Sequence, residues 1–239
     1  MSEGQFKAAC LTGAGISAES GIATFRGMGG MWNNHPVEAV ATPHGFAKDP
    51  LLVWNFYDAR RRQALTCRPN KGHIGIARLQ QVLGEENLCI TTQNVDGLHQ
   101  RAGGKNVLEL HGSLWRVRCT KCRHEREELD MFETLPPKCD CGAMLRPAIV
   151  WFGEPLPGEI FDEAFRKAAA AALYLVVGTS GVVEPAASLG RVAASHGAKV
   201  WEINPEETAL SYICERSWRK PAGEAIDEVV EEVKRMAGV

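Results

Sequence analysis

Two polar clusters, Gln93-Asn94-Val95-Asp96 and His111-Gly112-Ser113, each follow a short apolar run. In an open α/β sheet, chemistry gathers at the carboxyl ends of the strands. A histidine placed there can move protons near neutral pH. A histidine taken alone is more often a hydrogen-bonded structural group, so His111 draws its meaning from its neighbours. His99 falls in a predicted helix and reads as structural. His35, His44, His73, His124 and His196 have no comparable context.

A second chemical feature opens the chain. Gly13-Ala14-Gly15-Ile16-Ser17-Ala18 follows an apolar run and fits Gly-x-Gly-x-x-Gly/Ala. In that pattern Gly13 permits a tight turn, Gly15 lets backbone approach a pyrophosphate, and Ala18 allows close packing of the next element. Backbone amides there would bond phosphate oxygens. A tight turn with no ligand is the plainer alternative. Phe25 could cover a nicotinamide ring, and Arg26 could pair with a phosphate or organise the loop. Further on, Gly178-Thr179-Ser180 closes a buried strand with small residues that admit a cofactor, and its hydroxyls and amides can bind phosphate or ribose.

Four cysteines form the third feature. Cys119-Thr-Lys-Cys122 and Cys139-Asp-Cys141 bracket a 16-residue interval. Four thiolates suit a closed, structural, tetrahedral zinc site. The second pair has a single intervening residue, shorter than the usual ribbon spacing, and His124 is a possible substitute ligand. Buried or disulfide-bonded thiols are the alternative. Disulfides are the weaker reading for a chain of this size without a secretory signal. Cys10 and Cys89 sit in apolar strands and read as core; Cys67 and Cys214 are scattered.

Tyr57 and Arg60 stand three apart on a predicted helix, hence on one face. A phenol and a guanidinium can together bind a carboxylate. Arg61 and Arg62 follow directly, so a solvated basic face is the bland reading.

The elements that must hold these residues are strands alternating with helices. Predicted strands are Phe6–Leu11, Leu88–Thr92, Val107–Leu110, Ala148–Phe152, Leu173–Val177 and Lys199–Ile203. Predicted helices are Leu51–Thr66, His73–Leu83, Glu159–Ala172, Ala186–His196 and Ala222–Met236. Trp32 to Pro50 reads as irregular, with Pro36 and Pro43 as breaks. The alternation implies an α/β fold with a Rossmann-like, doubly wound parallel sheet. The cysteine segment interrupts it as an inserted small zinc-binding domain. The expected division assigns 1–27, 72–113 and 151–239 to the sheet domain, and 28–71 with 114–150 to the small one.

Composition sets outer limits. With 239 residues the chain can bury a full core. A net charge of −2 argues against a dedicated nucleic-acid or membrane-surface binder. No apolar run approaches the ~20 residues that span a bilayer. The amino-terminal residues show neither a signal nor a transit peptide, so a cytoplasmic location is expected.

The ordered motifs Gly-Ala-Gly-Ile-Ser-x-x-Ser-Gly-Ile-x-x-Phe-Arg, Thr-Gln-Asn-Val-Asp-Gly-Leu-His and Leu-His-Gly-Ser resemble the sirtuin family of NAD-dependent protein deacylases. Paired cysteines, Trp-Phe-Gly-Glu, Gly-Thr-Ser and Ile-Asn-Pro follow in the family's order, so the resemblance runs from about Lys7 to Ala222. It implies transfer of an acyl group from lysine to the ADP-ribose part of NAD, with release of nicotinamide. By resemblance His111 is the general base acting on a ribose hydroxyl. Asn94 and Asp96, supported by Gln93, hold the ribose and nicotinamide ends, while Asn204 and Glu206 meet the adenosine ribose. Ala222 lies near adenine. Ala14, Ser17, Thr24 and Trp32 join the cofactor set, Thr24 replacing an aspartate common in deacetylases. Val150, Phe152, Gly153 and Glu154 face an acyl-lysine peptide held extended. Relatives with Tyr-x-x-Arg and a small residue like Ala41 prefer succinyl, malonyl or glutaryl lysine, so deacetylase and desuccinylase activity are both expected on acylated proteins or peptides.

Two other readings compete. The glycine turn alone also fits an NAD(P) oxidoreductase, although no separate hydride-acceptor constellation is visible. Lys121, Arg123, Arg126 and Lys138 could make the cysteine module a nucleic-acid binder, but Glu125, Glu127, Glu128, Asp130 and Glu133 cancel their charge.

Overall fold

A computed structural model of the chain describes residues 6–24, 31, 32 and 35–239. In chain order it contains β1 (Ala8–Thr12), a 3-10 helix (Ala14–Ser20), β2 (Met31–Trp32), β3 (His35–Pro36), α1 (Val37–Val40), α2 (Pro43–Lys48), α3 (Pro50–Thr66) and α4 (Lys71–Leu83). Next come β4 (Leu88–Thr92), α5 (Leu98–Arg101), β5 (Leu108–Glu109), β6 (Gly112–Cys119), β7 (Glu125–Glu127) and β8 (Leu145–Ile149). The chain ends with α6 (Gly158–Ala169), β9 (Leu173–Val177), α7 (Ser188–Ser195), β10 (Lys199–Ile203), a 3-10 turn (Ser211–Ile213), β11 (Arg216–Trp218) and α8 (Ala222–Ala237).

Six strands form a parallel sheet in the order β11-β10-β9-β1-β4-β5. Every residue of β1, β4 and β9 is buried, as expected where helices cover both faces of a parallel sheet. The two-residue strand period separates the faces. Ala8 and Cys10 of β1, with Leu173, Leu175 and Val177 of β9, pack under α4 and α8. Ala9, Leu11, Tyr174 and Val176 pack under α6 and α7. On α8, Ala225, Ile226, Val229, Val230 and Val233 recur at helical spacing and are all buried. The strand order reverses direction at β1, with β4 on one side and β9 on the other. Such a point opens a crevice at the carboxyl ends of the strands.

A second, antiparallel sheet, β7-β6-β8, lies between β5 and α6 in the chain. It rests on α3, whose Val53, Trp54, Phe56 and Tyr57 pack with Leu114, Val117, Leu145 and Ile149. Arg61 fastens the two. Its guanidinium donates to the carbonyl oxygens of Leu114 (2.7 Å), Glu128 (2.9 Å) and Asp130 (2.6 Å), between the rings of Trp115 and Phe132. Arg61 is 2 % exposed and Arg60 8 %, which overturns the reading of 60–62 as a solvated face; of the three, Arg62 alone is largely in solvent.

Two further expectations are corrected. Residues 32–50 are not irregular throughout, because α1 and α2 lie there. Pro36 caps α1 and Pro43 opens α2, with the Thr42 hydroxyl accepting from Gly45 N. Proline at a first helical position starts a helix instead of breaking it. The strand expected at 148–152 runs from Leu145 to Ile149. That span contains Pro147, which is tolerated because β8 is an edge strand of its sheet. Beyond Ile149 the backbone leaves the ladder. Val150 N donates to His111 O, Phe152 N donates to Ala41 O, and Gly153 has φ +88°. Among the described residues, no helix is long and apolar enough to cross a membrane.

Candidate active site

A cavity of about 410 Å³ lies between the two sheets, at the carboxyl ends of β1, β4, β9 and β10. Gly13, Ala14, Gly15, Ser17 and Thr24 line it after β1, and Gln93, Asn94 and Asp96 after β4. Gly178, Thr179 and Ser180 line it after β9, and Asn204 and Glu206 after β10. His111, Ala41, Tyr57, Arg60, Val150, Phe152, Gly153 and Glu154 complete its other side. Ala18 and Ala222 do not reach it. Ala18 is exposed on the 3-10 helix, and Ala222 is buried at the start of α8, where its Cβ closes on Gly72. Phe25, Arg26 and the side chain of Trp32 lie outside the described residues.

The glycine turn is pressed against the loop that follows β9. Gly13 N donates to Val177 O at 3.0 Å, and Gly15 N to Gly178 O at 2.7 Å. A Cβ on Gly15 would stand 2.7 Å from Gly178 O, and one on Gly13 2.7 Å from Thr179 Cβ. These contacts require glycine for packing within the chain. A 3-10 helix, not an α-helix, follows the turn and stops at Gly21.

Hydrogen bonds knit the polar residues together. Buried Asp96 accepts from Ser17 Oγ (2.7 Å) and Leu98 N (2.9 Å). Burial pushes its carboxyl above the usual range, against the pull of those two bonds and of Arg60 and Arg101. Asn94 Nδ2 donates to Gly13 O and to Ser17 Oγ, both at 3.1 Å. Gln93 Nε2 donates to Thr179 Oγ1 (2.8 Å), and Asn204 Nδ2 to Thr179 O (3.0 Å).

His111 is oriented by its backbone surroundings. Its Nδ1 lies 3.0 Å from Gln93 O. A carbonyl can only accept, so Nδ1 carries the proton and Nε2 holds the free lone pair of the neutral ring. Burial pulls its pKa below 6.5, partly opposed by the Gln93 bond. A buried, neutral imidazole with a free Nε2 in a cavity is equipped to accept a proton. His99 behaves as a structural group: it is buried, and its Nε2 lies 2.9 Å from Thr12 Oγ1.

Tyr57 and Arg60 face the cavity one helical turn apart on α3. Burial raises the phenol pKa to about 12, with Arg60 pulling it down, so the hydroxyl stays protonated at neutral pH. The Glu154 carboxylate is engaged by Arg146 (2.6 and 2.9 Å), Arg118 (3.1 Å) and the backbone N–H of Trp151 (2.9 Å). Burial alone would raise its pKa, but those bonds leave it lowered.

Away from the cavity, the sulfurs of Cys119, Cys122, Cys139 and Cys141 all lie within 4.8 Å of one another. Cys119 Sγ is 3.5 Å from Cys141 Sγ, and Cys122 Sγ 3.7 Å from Cys139 Sγ. Zinc–sulfur bonds of about 2.3 Å in a tetrahedron place sulfurs about 3.8 Å apart, so the set fits zinc. Amides of Lys121 and Cys122 point at Cys119 Sγ and favour its thiolate. His124 is not in the cluster; its carbonyl accepts from Cys119 N.

Sequence reasoning passed over Trp151 and the stretch Val183–Pro185, which also line the cavity. Gly181 and Pro185 close behind Gly178-Thr179-Ser180 were the available signal for a cofactor-side loop. Trp151 opens the Trp-Phe-Gly-Glu motif, but nothing in its residue type alone separates it from an ordinary buried aromatic.

Comparison with known proteins bears on this geometry. A model of the Sir2 family matches residues 13–185. An NAD-dependent protein deacylase of Aquifex aeolicus is 46 % identical over 95 % of this chain and 95 % of its own. A solved Sir2 homolog–NAD complex superposes with a TM-score of 0.89 at 47 % identity, covering 98 % of this chain and 91 % of the other. A Sir2–p53 peptide–NAD+ structure superposes with a TM-score of 0.84 at 33 % identity, covering 97 % and 95 %.

Proposed function

The chain belongs to the Sir2 family, and from that premise we propose that it is an NAD-dependent protein-lysine deacylase whose acyl pocket takes acetyl and also succinyl and malonyl groups. One observation carries the reading: among the described residues His111 Nε2 has no hydrogen-bond partner, and His111 lines a cavity shared by the glycine turn and the Tyr57–Arg60 pair. NAD bound there supplies an ADP-ribose acceptor for the acyl group, with nicotinamide as the departing group. The fit rests on the glycine turn, which glycine alone lets close against Gly178 and Thr179 at the cavity's edge, and on hydroxyl and amide groups at both ends of the cavity.

The chain's own residues divide the work. The Gly13, Gly15 and Ile16 amides bond within the chain, so the remaining groups of the turn, with the loops at Gly178–Ser180 and Asn204–Glu206, hold the phosphates and the adenosine ribose. Asn94 and Asp96 hold the opposite end, and their shared bonds through Ser17 limit reorientation. His111 Nε2 accepts a proton from a ribose hydroxyl; its Nδ1–H stays on Gln93 O and fixes the tautomer. Val150, Phe152, Gly153 and Glu154 form the wall assigned to the acyl-lysine and its flanking peptide. Zinc on the four cysteines holds the small sheet. We take 1–27, 72–113 and 151–239 as the nucleotide-binding unit and the rest as the small domain, and we assign the protein to the cytoplasm.

The acidic-acyl reading is supported by burial. A buried guanidinium one turn from a protonated phenol can meet a carboxylate with two kinds of donor. Incubation with NAD and matched acetyl-, succinyl- and crotonyl-lysine peptides, with products identified by mass, tests both levels. Free nicotinamide and acyl-ADP-ribose are expected from the acetyl and succinyl peptides. The double change Tyr57→Phe, Arg60→Met is expected to lose desuccinylation and keep deacetylation; equal loss of both would count against the acidic pocket. Reduction of NAD without nicotinamide release would overturn the deacylase reading.

A further inference from the structure

Behind the Tyr57 hydroxyl stands an indole that the reading above does not use. Trp151 Nε1 lies 2.9 Å from Tyr57 Oη, and both side chains are buried. An indole N–H can only donate, so the phenol oxygen accepts. One lone pair is thereby taken, and the phenol proton must point elsewhere. Among the described residues, this is the hydroxyl's single hydrogen-bond partner, and Tyr57 is one of the residues that line the cavity.

The indole itself cannot turn. The Arg146 guanidinium lies 3.3 Å from its ring centroid, within cation–π range. That guanidinium is held by both oxygens of Glu154 and by Ile149 O. Glu154 Oε2 also accepts from the backbone N–H of Trp151, and the Phe46 ring packs 5.3 Å away. The chain of contacts runs Glu154–Arg146–Trp151–Tyr57, from the floor of the acyl wall to the phenol.

We propose that Trp151 is a positioning residue for acyl selectivity: its indole N–H holds the Tyr57 oxygen from behind and turns the phenol proton toward the carboxylate of an acidic acyl chain. An acetyl group has no carboxylate to receive that proton, so the device acts on the choice between acyl chains. The inference rests on the acidic-acyl reading of the same pocket. Replacing the indole with a phenyl ring keeps most of the apolar volume and deletes the donor, and the phenol is then free to rotate.

The test measures kcat and KM for matched succinyl- and acetyl-lysine peptides with the unaltered protein, Trp151→Phe, Tyr57→Phe and the double variant. In Trp151→Phe the succinyl-to-acetyl ratio of kcat/KM is expected to fall about tenfold, the scale of one hydrogen bond to a charged group, mainly through the succinyl KM. Tyr57→Phe should lower it at least as far, and the double variant no further than Tyr57→Phe, because the indole acts through the phenol. An unchanged ratio in Trp151→Phe, or fully additive effects in the double variant, overturns the proposal. Should Trp151→Phe fail to fold, Arg146→Lys carries the test: it keeps the indole and removes the fork that fixes it. A ratio unchanged there overturns the proposal equally. An unaltered protein with no succinyl activity overturns the acidic-acyl reading first, and this inference with it; succinyl activity with an unaffected ratio sinks this inference alone.

Discussion

The Nδ1 atom of His111 lies 3.0 Å from the carbonyl oxygen of Gln93, the first residue after the carboxyl end of β4. That bond leaves Nε2 as the ring's only acceptor. Because burial lowers the pKa of the ring from 6.5, the imidazole stays neutral, and competent as a base, to lower pH than an exposed histidine. The sign is therefore clear: kcat/KM for acyl transfer should rise with pH through an inflection below 6.5 and stay flat above it. His111→Ala should lower the rate by about 10²–10⁴-fold, the usual contribution of a general base. A pH–rate profile with its acid limb centred above 6.5 would contradict the assignment.

Gly15→Ala probes the glycine turn. The added methyl would stand 2.7 Å from Gly178 O and 2.8 Å from Gly178 Cα, both backbone atoms. Neither can swing aside, so a loss of about 1–3 kcal/mol is expected from overpacking. Cofactor affinity should fall more than stability does, because the displaced loop includes Gly178–Ser180. Calorimetric titration with NAD alongside thermal melts separates the two.

His73 and His99 make folding sensitive to acid. Their rings meet edge to face at 4.9 Å. Burial lowers His73 to about 4, and burial with the neighbouring His73 lowers His99 to about 3. Both folded values lie below the unfolded value near 6.5, so the unfolded chain binds more protons between them. Stability is full above about pH 6.5 and declines as pH falls toward 4 and then 3, at up to ~1.4 kcal/mol per pH unit for each ring. Urea titrations at pH 7.5 and 5 should show this slope. His99→Gln should flatten it, and a variant as steep as the parent would refute the assignment.

Removal of one zinc ligand should act on structure first. Cys139 is buried between β7 and β8 in the chain and packs with Leu145 and Val117. Cys139→Ser, or a strong chelator, is expected to take bound zinc from one equivalent to none by metal analysis. A marked drop in melting temperature should accompany it, since a structural zinc site contributes directly to folding. Retention of one zinc per chain in Cys139→Ser would rule out the four-cysteine set.

Much of this was legible before any coordinates. Leu173–Val177 is a strand with the bounds that its apolar run implies, because a doubly covered parallel strand has no polar face to blur it, and Lys199–Ile203 keeps its expected bounds although Lys199 and Glu202 interrupt its apolar residues. The residues grouped at 93–96, 111, 178–180, 204 and 206 converge because each follows a strand end. What stayed hidden depends on distant partners. The burial of Arg61 follows from three carbonyls on another segment, and no local pattern announces an acceptor cage. The three-residue shift of β8 depends on its pairing with β6, whose Val117–Cys119 face Pro147–Leu145. Ala18 and Ala222 were placed by likeness of motif alone, and the helix geometry at each points the alanine away from the cavity.

The central strand, Ala8–Thr12, is synthesised well before one of its two neighbours, Leu173–Val177. Until that later stretch has been synthesised, the strand has an unsatisfied edge and Gly13–Gly15 has nothing to press against. A fragment that ends before Leu173 therefore cannot assemble the nucleotide crevice, and its central strand stays exposed to wrong pairing. Ligand recognition therefore waits for Leu173–Val177 and the Gly178 loop behind it.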